Sequence, residues 1–194
     1  MLRFTVGKTR CTLTFGFAAV VCAAFVFGEP WSTALALGCI AWHESGHLLA
    51  LHLLHTPPTA LRMTLFGLEL DAGPRSSYRE EAVVSLAGPA ANLLGAALLF
   101  FTPWKTAAAM HLALGLFHLL PILPLDGGQA LQSLLCLRFS SAAAKRAAAA
   151  VSAALLLPLG TAGFWLLFRQ ERNFTLFLLC LYLLFYLVFK AKEE

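Results

Sequence analysis

Long apolar stretches, each close to the thickness of a bilayer, dominate this sequence and limit what it can fold into. Six can be read, at about 11–28, 33–55, 81–101, 107–124, 147–168 and 173–189. Each is near the ~20 residues that a helix needs to cross the hydrocarbon core. Lipid offers no partner to a free backbone N–H or C=O, so helices are the expected spanning form. Of the 194 residues, 59% are hydrophobic and 12% are charged, and the mean hydropathy is +0.76. A soluble domain carries about twice that share of charge. One small core cannot hide so large an apolar excess, so lipid is the expected solvent for most of the chain. The expected fold class is an all-α polytopic membrane protein with about six transmembrane helices, built as a single domain over residues 1–194.

The placement of charge predicts an orientation. With the N-terminus in the cytosol, the cytosolic segments hold eleven basic residues: Arg3, Lys8, Arg10, Arg62, Arg75, Arg79, Arg138, Lys145, Arg146, Lys190 and Lys192. The opposite side holds three, Lys105, Arg169 and Arg172. That division follows the positive-inside rule and puts both termini in the cytosol. Basic residues precede the first apolar stretch, as in a signal peptide. No small-residue cleavage site follows, and Glu29-Pro30-Trp31 leads into the next stretch, so a retained helix is expected. Cys11, Cys22, Cys39, Cys136 and Cys180 are scattered singly, without C-x-x-C spacing or a disulfide framework.

The segment 56–80 reads differently. Pro57-Pro58 stops the second helix. Leu61, Met63 and Leu65 alternate with Arg62 and Thr64; after Gly67, Leu68 and Leu70 alternate with Glu69 and Asp71. Period two on both sides of a glycine predicts a membrane-associated β-hairpin over about 60–72.

The strongest chemical signal is His43-Glu44-Ser45-Gly46-His47. On a helix the two histidines share a face and can bind one metal ion, while Glu44 can take a proton from metal-bound water. These residues lie inside an apolar stretch, where an acid is costly and marks function by default. A catalytic zinc site needs a third protein ligand. Apart from Glu44, the acid at membrane depth is Asp126, which follows Pro121 and Pro124 and precedes Gly127-Gly128. The prolines break the fourth helix, and unwound chain at depth is tolerated where it lines a cavity. Asp126 is read as the third ligand; the plainer alternative is a cap on a helix over 129–137. In Ala87-Gly88-Pro89-Ala90-Ala91-Asn92, small residues suit close helix packing. Asn92 there either bonds across that contact or binds a substrate backbone. His52, His55 and His111 are read as packed, interfacial or hydrogen-bonded within the bundle.

Taken together, His43-Glu44-x-Gly46-His47, Gly88-Pro89-x-x-Asn92 and Pro121-x-x-x-x-Asp126-Gly127 resemble the site-2 protease family of intramembrane metalloproteases, from about residue 33 to 130. The layout is similar to the compact bacterial branch, which includes the sporulation protease that processes a sigma-factor precursor. The resemblance implies Zn2+ held by His43, His47 and Asp126, with Glu44 as catalytic base. It implies a membrane-associated protein substrate, inhibitory membrane proteins as partners, and a site reached from the cytosolic side of a bacterial cytoplasmic-type membrane. Direct nucleic-acid binding is not expected. Asn92, His118 and Pro121 are the candidate substrate-binding residues. His118 departs from the family pattern, which has asparagine three residues before Pro121. The 60–72 hairpin is expected to pair with an extended substrate by strand addition. The rival readings are an intramembrane metal transporter, which does not need Glu44, and a catalytically inactive family member.

Overall fold

The computed structural model describes residues 1–6, 9–64, 67–71, 77–169 and 175–190. The chain divides into two compact units, Met1–Phe117 and His118–Glu194.

In the first unit the amino terminus forms strands. β1 (Leu2–Val6) and β2 (Thr9–Leu13) pair antiparallel, as do β3 (Ala60–Thr64) and β4 (Gly67–Asp71). β2 and β3 run parallel, which gives one four-stranded sheet in the order β1-β2-β3-β4. Phe4, Cys11 and Leu61 stand in one cross-strand row and Arg3, Thr12 and Arg62 in the next. Successive rows face opposite sides, so apolar and polar residues separate. The expected hairpin is therefore half of a larger sheet, which needs the other half because two strands alone are marginal. Met63 is paired on both sides, to Leu13 and Leu68, so β3 offers no edge for strand addition; the sheet's edges are β1 and β4. Leu65, Phe66 and Ala72 of that hairpin lie outside the described residues, as do Lys8, Arg75, Arg172 and Lys192 of the charge division.

The expected first span, 11–28, is corrected by the same sheet. Thr14 N donates to Met63 O at 3.0 Å, tying the residues before the helix to β3. Only then does α1 (Phe15–Phe27) begin, capped by the Thr14 hydroxyl, which accepts from Phe17 N at 3.3 Å. Its 13 residues rise about 20 Å, less than the ~30 Å hydrocarbon core. α2 (Pro30–Leu53) starts with proline in its first turn and with Glu29 as cap, whose carboxylate accepts from Trp31 N at 3.0 Å and Ser32 N at 2.6 Å. α3 (Tyr78–Phe100) is capped by Ser77, with Glu80 and Glu81 in its positive first turn. α4 (Lys105–His118) follows, all but its last residue in this unit.

α2 and α3 meet backbone to backbone. A Cβ added at Gly46 would stand 2.6 Å from Ala87 O and 2.8 Å from Ala91 Cβ. Small residues permit this approach, and the dispersion contacts it brings hold helices together where lipid supplies no hydrophobic drive. Trp42 Nε1 donates to Ala91 O at 2.8 Å. Further along the seam, Ala50, Leu51 and Val84 are buried, with Leu54 and Ala87 against them.

The second unit holds α5 (Asp126–Cys136), α6 (Ser141–Arg169) and α7 (Thr175–Lys190). The expected fourth span, 107–124, is cut short: helix ends at His118, and residues 119–125 form bends and turns. Pro121 and Pro124 remove N–H donors from this stretch. Ile122 N donates to Leu120 O at 2.7 Å, Leu125 N to Ile122 O at 2.8 Å, and Leu123 N to Ser152 Oγ on α6 at 2.9 Å.

Against the expected six spans, two helices, 78–100 and 141–166, are long and apolar enough to cross a membrane among the described residues. The apolar helices at 15–27 and 176–188 are shorter. Val26, Phe27, Phe101 and Leu157 are exposed, which suits a surface solvated by lipid. Trp31 and Trp104, at the starts of α2 and α4, have ring centroids 6.1 Å apart; tryptophan is a residue enriched at membrane–water interfaces.

Candidate metal centre

His43 and His47 lie one turn apart on the face of α2 that packs against α3, and both are buried. Their Nε2 atoms are 3.1 Å apart. Two nitrogens bound to one tetrahedral zinc at ~2.0–2.1 Å stand about 3.3 Å apart, so the pair is already near ligand spacing. His47 Nδ1 is 2.7 Å from Val84 O. A carbonyl only accepts, so Nδ1 carries the proton and Nε2 keeps its lone pair for a metal.

Gly88 of α3 makes room for this pair. A Cβ there would fall on His47 Nε2 and stand 2.7 Å from His43 Nε2. One turn further along α3, Asn92 is fully buried, with Nδ2 2.9 Å from His43 Nδ1 and Oδ1 2.9 Å from His111 Nδ1. The His111 ring packs on Gly95 and meets Trp42 edge-on. The Gly88–Asn92 spacing was visible in the sequence as small-residue packing; its link to the imidazoles needed the α2–α3 contact. His111 has the intrabundle hydrogen bond expected of it, while His52 and His55 are exposed at the end of α2.

Asp126 is the first residue of α5 and is not its cap, which is Leu125. There its charge meets the positive end of the helix. Its side chain is 14% exposed, and Oδ2 lies 2.7 Å from His118 Nδ1. Gly127 and Gly128 let α5 lie close to the preceding bend: a Cβ at Gly128 would stand 2.5 Å from Ile122 C. Pro121 is half-buried in that bend. Glu44 is half-buried beside His43 on α2.

His43 and His47 belong to the first unit and Asp126, expected from sequence as the third ligand, to the second. Two imidazoles and a carboxylate are an established donor set for catalytic zinc. The two imidazoles, at 3.1 Å, fit a metal ion, and the room left by Gly88 is a cradle that any side chain would fill.

The chain is mostly helical with a small sheet, many exposed large apolar side chains and a buried pair of imidazoles at ligand spacing. Residues 99–159, roughly a third of the chain, match Peptidase family M50. The match covers His118, Pro121 and Asp126 but not the His43-Glu44 motif, and it supports a metallopeptidase. The whole structure is similar to that of the Site-2 Protease from Methanocaldococcus jannaschii, with a TM-score of 0.68 and 21% identity over 100% of this chain and 94% of that one. No curated protein matches the sequence. The resemblance read from three short motifs is thus found again in the family match and in the fold.

Proposed function

We propose that this chain is an intramembrane zinc metalloprotease that cleaves a membrane-associated protein. The observation that carries the reading is the buried His43–His47 pair, with Nε2 atoms 3.1 Å apart and the Glu44 carboxylate on the same helix; Asp126, at the start of α5, is the proposed third ligand. When bound, zinc supplies Lewis acidity to a water and to the scissile carbonyl. Glu44 takes a proton from the water and delivers it to the leaving nitrogen. The substrate enters as extended chain, because the carbonyls of an intact helix are already bonded. Within the sheet, the β4 edge is one that an extended segment can pair with by strand addition.

The substrate class is a membrane-tethered regulatory protein, of which a sporulation sigma-factor precursor is the narrowest case. The division of Lys and Arg supports a bacterial-type cytoplasmic membrane with both termini and the entrance to the site on the cytosolic side.

Glu44→Gln tests the reading. Co-expressed with membrane-tethered substrates, the variant should lose cleavage by ~10²–10⁴-fold and keep its zinc. Unchanged cleavage rejects Glu44 as the base. Metal transport that survives the change, with no proteolysis by the parent, favours the transporter.

A further inference from the structure

The two faces of the four-stranded sheet are unlike. Alternate cross-strand rows put Cys11, Leu13, Leu61 and Met63 on one face, and Cys11 is buried there. The rows between them put Arg3, Thr12 and Arg62, then Thr5 and Arg10, on the opposite face. Arg3, Arg10 and Arg62 are exposed, and no hydrogen bond or ion pair joins their guanidiniums to another described residue. β1, β2 and β3 contain no acid. The acids in these rows, Glu69 and Asp71, stand on β4 at one edge of the sheet. The three arginines line a cavity of about 700 Å³ together with Thr5, Thr12 and Asp71.

Strands ~4.8 Å apart put Arg3 and Arg62 ~10 Å from each other across β2, with Arg10 ~8 Å from both. An extended chain carries its same-face residues in steps of ~7 Å, so carboxylates at alternate positions reach neighbouring guanidiniums. A guanidinium fork holds a carboxylate through two parallel hydrogen bonds, and the threonine hydroxyls between the forks are further donors. We propose that the arginine face of the sheet docks an acidic, extended segment of the substrate protein. Asp71 repels further carboxylates, which confines the footprint to β1, β2 and β3. The occupant is a protein and not the bilayer surface, because the apolar rows and the arginines lie on opposite faces: the side suited to rest on lipid is the one without the charges. Naming the partner as the substrate rests on the protease reading above; the docking chemistry does not, since it needs neither metal nor cleavage.

The test uses the full chain in phosphatidylcholine nanodiscs and a fluorescein-labelled peptide of alternating glutamate and serine, with binding read by anisotropy. The parent should bind this peptide and not its counterpart with lysine in place of glutamate. Combining Arg3→Gln, Arg10→Gln and Arg62→Gln should weaken binding ~3–100-fold, the range for three exposed ion pairs. Lysine at the same three positions keeps the charge and should retain more of the binding than glutamine does. Salt at ~1 M, where the screening length is ~3 Å, should weaken the parent as the glutamines do. In discs that also contain phosphatidylglycerol, the parent should still bind more tightly than the triple glutamine variant. The proposal is overturned by parent-like binding in a folded triple variant, by equal binding of the lysine peptide, or by a difference that vanishes in the phosphatidylglycerol discs, which would assign the arginines to anionic lipid. If the triple variant does not fold, Arg62→Gln alone and the salt titration decide. A parent that binds the acidic peptide yet cleaves no protein overturns the protease reading and leaves the docking face standing.

Discussion

His118 Nδ1 donates to Asp126 Oδ2 at 2.7 Å, across the bend that joins α4 to α5. An ionised carboxylate only accepts, so the bond fixes which His118 nitrogen carries the proton. It also holds the Asp126 carboxylate in one rotamer. That gives His118, expected from sequence to bind substrate, a role through Asp126.

Replacing His118 with leucine should weaken zinc binding ~10–100-fold, the usual cost of losing a partner behind a ligand. His118→Asn, which restores the family's residue and keeps a donor, should stay near the parent. Chelator competition measures both. A rise in KM with zinc affinity unchanged would instead assign His118 to the substrate.

Gly88→Ala puts a methyl group where the two imidazoles stand. Overpacking of this kind costs ~1–3 kcal/mol, and the rings must move to relieve it, so zinc content should fall together with the thermal midpoint. Gly38→Ala is the matched control on α2, where a Cβ meets nothing within 4 Å. It should bind zinc as the parent does and be stabilised by ~0.5–1 kcal/mol.

Ser152 is fully buried on α6, accepts from Leu123 N at 2.9 Å and donates to Ala148 O at 2.7 Å. Ser152→Ala leaves the Leu123 N–H without that acceptor, at a cost of ~1–3 kcal/mol. Because Leu123 lies three residues before Asp126, zinc affinity should drop as well. Thermal unfolding with and without zinc separates the two effects; a parent-like midpoint would show that the bend does not depend on Ser152.

Glu29 sits at the exposed start of α2, and its pKa is lowered by hydrogen bonds from the Ser32 side chain, then the Ser32 and Trp31 backbone. A lowered folded pKa means that the ionised form is favoured in the folded state. Its contribution is therefore complete above the unfolded value, about 4.3, and is lost as pH falls through the lower folded value. Protection of the Trp31 and Ser32 amides, taken relative to the intrinsic exchange rate at each pH, should fall on acidification in the parent and should be low at every pH in Glu29→Ala. Protection that does not change with pH would show that the cap is immaterial.

The features most legible in the sequence are those whose signal is local. His43 and His47 share a face because any helix puts residues four apart together. Glu44 beside them and Asp126 beyond a proline-broken helix are likewise visible in order and spacing. The apolar runs at 33–55, 81–101, 147–168 and 173–189 overlap α2, α3, α6 and α7, but α6 begins earlier, at Ser141. Leu2-Arg3-Phe4-Thr5-Val6 alternates as a strand does, but Arg3 and Arg10 before an apolar run equally fit the basic flank of a membrane helix. What makes the stretch a sheet is β3, about fifty residues away in the chain.

By itself, then, the sequence determined an apolar, mostly helical chain with two imidazoles on one helical face and an acid beside a break, because periodicity and backbone chemistry act over a few residues. The tertiary structure decided which atoms meet: Gly88 under the imidazoles, Asn92 between His43 and His111, His118 on Asp126, and β2 beside β3. Those contacts depend on close approach of elements far apart in the chain, and no local pattern encodes the distance between them.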